Sequence, residues 1–110
     1  VDIKSFCLSS LNKYTNDIDI YITESWLNFT MPGEWHHSHN HPNSLVSGIF
    51  YVNARKALHT VVFSELEEII SVERFDLLLF PSHLLNHTPK NIGNDLKISL
   101  AFNTSKPTTI

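Results

Sequence analysis

The sequence predicts a mainly β domain, most simply an eight-stranded jelly roll behind one short N-terminal helix. Three observations point there. Apolar residues recur with a period of two in many short runs, turn residues separate those runs, and only the first stretch of the chain keeps helical spacing. Strands do not alternate with helices, so a parallel sheet is excluded, and the chain holds no repeat or low-complexity segment.

In chain order, residues 3–14 place Ile3, Phe6, Cys7, Leu8 and Leu11 at helical spacing and predict an amphipathic helix. Ile18, Ile20 and Ile22 alternate with polar neighbours, and the strand continues through Trp26-Leu27-Asn28-Phe29. Pro32-Gly33 marks a turn. Residues 34–41 read as a polar strand ended by Pro42-Asn43, and 45–53 as a nearly continuous apolar strand covered on both faces. Short strands follow at 60–64, 68–72 and 75–80, with another at 84–88. Residues 97–102 alternate cleanly, with Lys97, Ser99 and Ala101 on one face and Ile98, Leu100 and Phe102 on the other. Residues 54–59 form a loop without a readable signal, and the polar stretch from Thr104 reads as a frayed tail. The expected organisation is one domain over 1–110: a helical segment 1–16, a β core 17–103 and a tail 104–110.

Bulk properties narrow the function classes. A chain of 110 residues is long enough for one core, and 42% apolar with 17% charged residues is an ordinary globular mixture. The net charge of −3, with no basic stripe, argues against nucleic acid or an anionic membrane as partner. No apolar run approaches the ~18 residues that a membrane helix needs. One cysteine, Cys7, rules out an internal disulfide framework and fits a reducing compartment; with no signal-peptide pattern in view, the expected location is cytoplasmic. The chain opens on Val1 rather than Met, as a processed or trimmed chain would. Three Asn-x-Ser/Thr triplets, at Asn28, Asn86 and Asn103, read as chance.

Chemistry concentrates in residues 36–44, HHSHNHPNS. Four of the seven histidines fall here: His36, His37, His39 and His41. Imidazole is the commonest biological metal ligand, so the cluster points to a metal. On a regular strand His37, His39 and His41 face one way and His36 the other. His37 and His41 are then about 13 Å apart, too far to share an ion, whereas either i, i+2 pair can converge. His39 belongs to both pairs. Further along, His83 and His87 are additional candidates. A hairpin through residues 89–95 would bring Lys97 back beside His87, and a lysine on an inward face there needs an anion.

The ordered set His39-Asn40-His41-Pro42, Ser47-Gly48, Tyr51-Val52-Asn53, Phe80-Pro81-Ser82, His87 and Lys97-Ile98-Ser99 resembles the Fe(II)/2-oxoglutarate-dependent oxygenase superfamily, and within it oxygenases of marine bacteria and their phages. The resemblance covers roughly residues 24–103. It implies a double-stranded β-helix (a jelly roll, cupin-like) with Fe(II) and 2-oxoglutarate as cofactors. By this likeness His39, His41 and His87 hold the metal. Lys97, Tyr51 and Ser99 hold the far carboxylate of 2-oxoglutarate, with Asn28 as a further contact; the period of two, with Pro42 ending the strand, then puts His37 at the mouth toward substrate. The substrate, a small molecule or peptide, is not named by the residues. The helix is short for the family, which leaves support to be supplied by other chain or by a second copy in a homo-oligomer.

Two departures stand out. No histidine is followed at i+2 by Asp or Glu, so His41 stands where the family has an acidic ligand. Three imidazoles would leave Fe(II) with a +2 charge and admit other divalent metals. The anchor is also Lys and not the commoner Arg, a point charge without the bidentate fork. A second resemblance, to cupins, rests on Gly33 followed by His39-x-His41 and on the spacing of His87 and Asn91. It lacks the expected glutamate, since Ser44-Leu45-Val46 stand there, and Phe75 replaces a glycine. It implies a metal-binding protein without 2-oxoglutarate dependence: an isomerase, another dioxygenase or a small-molecule binding module. Lys97 separates the two, because only the first needs it.

Overall fold

The computed structural model describes residues 3–16, 20–39 and 44–106, with the backbone alone for 36–39. The elements are helix α1 (Ile3–Thr15) and strands β1 (Tyr21–Thr30), β2 (His36–His39), β3 (Val46–Asn53), β4 (Thr60–Phe63), β5 (Glu68–Ser71), β6 (Leu77–Pro81), β7 (Asn86–Thr88) and β8 (Lys97–Ser105). They form two antiparallel four-stranded sheets, ordered β1-β8-β3-β6 and β2-β7-β4-β5. This interleaving is the double-stranded β-helix: the chain alternates between the sheets and packs them face to face.

Local chemistry explains the element ends. Helix α1 closes at Asn16, whose φ of 56° is the left-handed cap that Asn tolerates, and its N–H bonds to the Asn12 carbonyl at 2.8 Å. Pro32 and Gly33 sit at the centre of the turn after β1, where the φ of 88° at Gly33 costs no Cβ clash. The turn before β6 puts Phe75 at φ 72°, a position that suits glycine. There the Phe75 N–H bonds to the Tyr51 carbonyl at 2.7 Å, and its ring stacks on Phe50 with centroids 6.3 Å apart.

Strand β3 is buried on both faces, as its apolar run predicts. Between the sheets lie Tyr51, Val61, Phe63, Val72 and Phe80, with Phe63 edge-on to Phe80 at 4.9 Å. On the outer side α1 presses Cys7 against Phe50 and Phe102, and Leu11 against Ile20 and Val46. Gly48 is required here: a Cβ on it would lie 2.1 Å from Cζ of the buried Phe102. Among the described residues no helix is long and apolar enough to cross a membrane.

Four expectations change. Strand β8 runs to Ser105, and Thr104 is fully buried, bonded to Ser44 and Val46, so the chain does not fray at 104. Residues 86–88 and 97–105 do not form a hairpin: β7 and β8 belong to opposite sheets. The strand expected at 34–41 is shorter, and its pairing with β7 is irregular, His36 facing Thr88 but His39 facing Asn86. That places one extra residue on β2, so counting i, i+2 along the histidines fails. His41 lies outside the described residues, as do the side-chain directions expected of His37 and His39.

Candidate functional site

Between the sheets lies a partly open cavity of about 290 Å³. One wall is a patch of the first sheet, in register: Asn28 of β1 opposite Ser99 of β8, and Ser99 opposite Tyr51 of β3. All three line the cavity, as does Lys97 with its register partner Thr30. Period-two alternation puts Lys97, Ser99 and Ala101 on one face because β8 is regular from its first residue.

Lys97 is 4% exposed, and its Nζ lies 5.6 Å from the centroid of the Tyr51 ring. No acidic side chain pairs with it among the described residues. Burial without an anion lowers its ammonium from the usual lysine value to about 8. Tyr51 is also buried, and desolvation, reinforced by the Asp76 carboxylate, pushes its phenol well above the usual value, so it stays a neutral donor. A cation with neutral hydroxyl and amide groups around it, in a small, partly open cavity, has the chemistry to receive a compact organic anion.

The start of β8 is fixed by Asn91. Its Nδ2 donates to the Thr30 carbonyl at 3.0 Å and the Asp95 carbonyl at 3.1 Å. Its Oδ1 accepts from the Gly93 N–H at 2.9 Å and from Nε2 of the buried His59 at 2.9 Å. The His59 Nδ1 accepts from the Arg55 N–H at 2.8 Å, which leaves the proton on Nε2. The backbone of Asn91 adds bonds to Gly33 and Glu34. Residues 54–59 therefore do carry a structural message, which their composition hides.

The other wall departs from the sequence reading. Asn86 and Thr88 of β7 line the cavity; His87, between them, does not. His87 is half-buried and pairs with Val62, whose neighbours Val61 and Phe63 point into the core. Directly opposed residues share a face, so His87 and Val62 look away from the cavity. Asn86 is the β7 residue opposite His39 in register. Among the described residues no three His, Cys, Asp or Glu side chains come together as metal donors. Counting imidazoles alone passes over Asn86 as a cavity-lining residue; the phase of β7 is the signal that finds it. Ser47 and Asn103, which also line the cavity, are bonded to each other at 2.8 Å and were missed for want of a motif.

A family model described as "Putative 2OG-Fe(II) oxygenase" matches residues 24–76, just under half of the chain. No curated protein matches it. Among solved structures, an oxidoreductase of the 2OG-Fe(II) oxygenase family from Burkholderia pseudomallei is similar with a TM-score of 0.69 and 11% identity, covering 78% of this chain and 45% of that one. The viral collagen prolyl hydroxylase of Paramecium Bursaria Chlorella virus-1, in its 2OG complex, is similar with a TM-score of 0.71 and 15% identity, covering 96% of this chain and 72% of that one. A cupin protein from Bacteroides fragilis gives a TM-score of 0.55 and 13% identity, covering 91% of this chain and 76% of that one. The chain spans about half the length of the first two solved structures it matches, 45% and 58%. Identities this low carry the fold, the double-stranded β-helix shared by 2-oxoglutarate oxygenases and cupins.

Proposed function

We propose that this jelly roll is the catalytic domain of a 2-oxoglutarate- and Fe(II)-dependent oxygenase that hydroxylates a small molecule or peptide. One observation carries the reading: Lys97 is a buried cation facing a cavity between the sheets, with no acidic partner among the described residues. The far carboxylate of 2-oxoglutarate supplies that partner. Tyr51, Ser99 and Asn28 offer hydroxyl and amide groups from the same wall. The family match over residues 24–76 supports the reading independently of Lys97.

Lys97, Tyr51, Ser99 and Asn28 support the diacid; of the expected iron ligands His39 and His41 have side chains outside the described residues, and only His87 can be compared. His87 turns from the cavity, and no three-donor set surrounds it among the described residues. His39 and His41 remain the proposed donors from the β2 side. Activation of dioxygen is what Fe(II) supplies in such a site when bound. This chain's own part is to hold the diacid, exclude water and orient the substrate.

The test is thermal unfolding with Mn(II) present. 2-Oxoglutarate at 100 times its Kd should stabilise the chain by about 2.7 kcal/mol, a rise of several degrees in Tm, and Lys97→Met should abolish the rise while keeping the response to metal. Equal protection of Lys97→Met and parent sinks the proposal. A response to metal with none to 2-oxoglutarate in the parent selects the second reading, a cupin-like metal protein. That reading is supported by the likeness of the fold to a cupin protein.

A further inference from the structure

Lys97 and Asn103 mark the two ends of the cavity along the inward row of β8, about 20 Å apart by strand rise. Among the described residues that line it, Lys97 alone is charged. A five-carbon diacid held at Lys97 covers less than half of that length, so the far end is left for a second ligand.

A carboxylate stands at that far end. Asn103 is 2% exposed, and both ends of its amide are engaged. Its Oδ1 accepts from the Ser47 hydroxyl at 2.8 Å, and its Nδ2 donates to Oε1 of Glu24 at 2.8 Å. Glu24 is the register partner of Asn103 and lies two residues before Trp26, which lines the cavity. Its side chain therefore belongs to the inward face of β1, and its exposure puts it at the rim. Among the described residues no salt bridge reaches it. An aromatic side chain and a carboxylate on neighbouring positions of one face both favour an organic cation. The sign is opposite to that of the Lys97 end, so the two ends select different ligands.

We propose that the substrate of this site carries an ammonium or guanidinium group, received by Glu24 beside Trp26 at the end of the cavity opposite Lys97. That the ligand is a substrate rests on the proposed function; the cation subsite rests on the side chains of β1, β3 and β8. Asn103 is a positioning residue, because its buried amide, held from the other side by Ser47, aims the Glu24 carboxylate.

The experiment titrates the full chain with Nα-acetyl-lysine amide and with Nα-acetyl-norleucine amide, which has the same stem without the charge. Binding is followed by NMR at the indole N–H of Trp26, assigned with Trp26→Phe. The lysine probe should bind about fivefold more tightly than the norleucine probe. Glu24→Gln keeps an acceptor for the Asn103 amide and removes the charge, and it should bring the two probes within about twofold of each other. Glu24→Lys should reverse their order. Glu68→Gln, which removes an exposed acid on β5 away from the cavity lining, should keep the preference of the parent and so separates a local charge from net charge. Circular dichroism checks the fold of each variant, and should Glu24→Gln fail there, the reversal in Glu24→Lys carries the test. A parent without preference for the lysine probe, a preference that survives in Glu24→Gln, or one that is lost in Glu68→Gln overturns the proposal. None of these results touches the Lys97-dependent protection by 2-oxoglutarate. Absence of that protection in the parent would instead defeat the proposed function and leave the cation subsite standing.

Discussion

An ammonium group inside a protein needs water or an anion, and Lys97 has neither an acidic partner among the described residues nor an exposed position. Its proton is therefore held weakly, with a folded-state value of about 8 against 10.5 for an ordinary lysine. Between those two values the unfolded chain binds more protons than the folded one, so stability rises as pH goes up through that window. Below it both states are protonated and the folded state bears the whole penalty, roughly 3 kcal/mol for a shift of this size. Lys97→Met keeps the stem and removes the charge. Urea unfolding at pH 7 should find the variant more stable by about 1–3 kcal/mol, and the alkaline rise of the parent should vanish in it. A variant no more stable than the parent would mean that the ammonium is already satisfied. Such an uncompensated charge is a stability defect, which the proposed anion-binding role of Lys97 would account for.

At the level of the element, β3 and β8 approach so closely that Gly48 and the Phe102 ring occupy one space. Phe102 is 1% exposed and wedged against Cys7 and Phe50, so it cannot retreat. Gly48→Ala should cost about 1–3 kcal/mol by overpacking, measured by denaturant unfolding, and Phe102→Leu should recover part of it. The sequence makes some elements legible and hides others, for identifiable reasons. Helix α1, β3 and the inward face of β8 could be read because hydrophobic period is a local property. The partners of β7 could not. A short polar strand has no apolar stripe to fix its phase, and one step of phase decides whether Asn86 or His87 meets the cavity. The turn through 89–95 reads as a hairpin, but the packing of two sheets, which no local pattern encodes, sends β7 and β8 apart. His59 was invisible for the same reason: its partner is 32 residues away.

For the whole molecule, Asn91 is where the connections between sheets are tied together. It joins the turn after β1, the loop after β3 and the approach to β8. Asn91→Ala would strand the Nε2–H of His59 and the Thr30 carbonyl in buried surroundings, and should cost about 3 kcal/mol of unfolding free energy in urea. The same change should weaken 2-oxoglutarate binding, measured by calorimetry, because it frees the first residues of β8. A loss of stability with full affinity would show that Lys97 is positioned without it. Strands β3 and β8 are the interior pair of their sheet, bonded on both sides by neighbouring strands, with α1 over part of one face and the second sheet over the other. Amides so placed exchange with solvent only through the largest opening events of a fold. Lys97 is the first residue of one of these strands, so its charge sits at the edge of the slowest-opening unit in the chain. The anion of the proposed function should therefore enter by the open side of the cavity, with no need for these two strands to part.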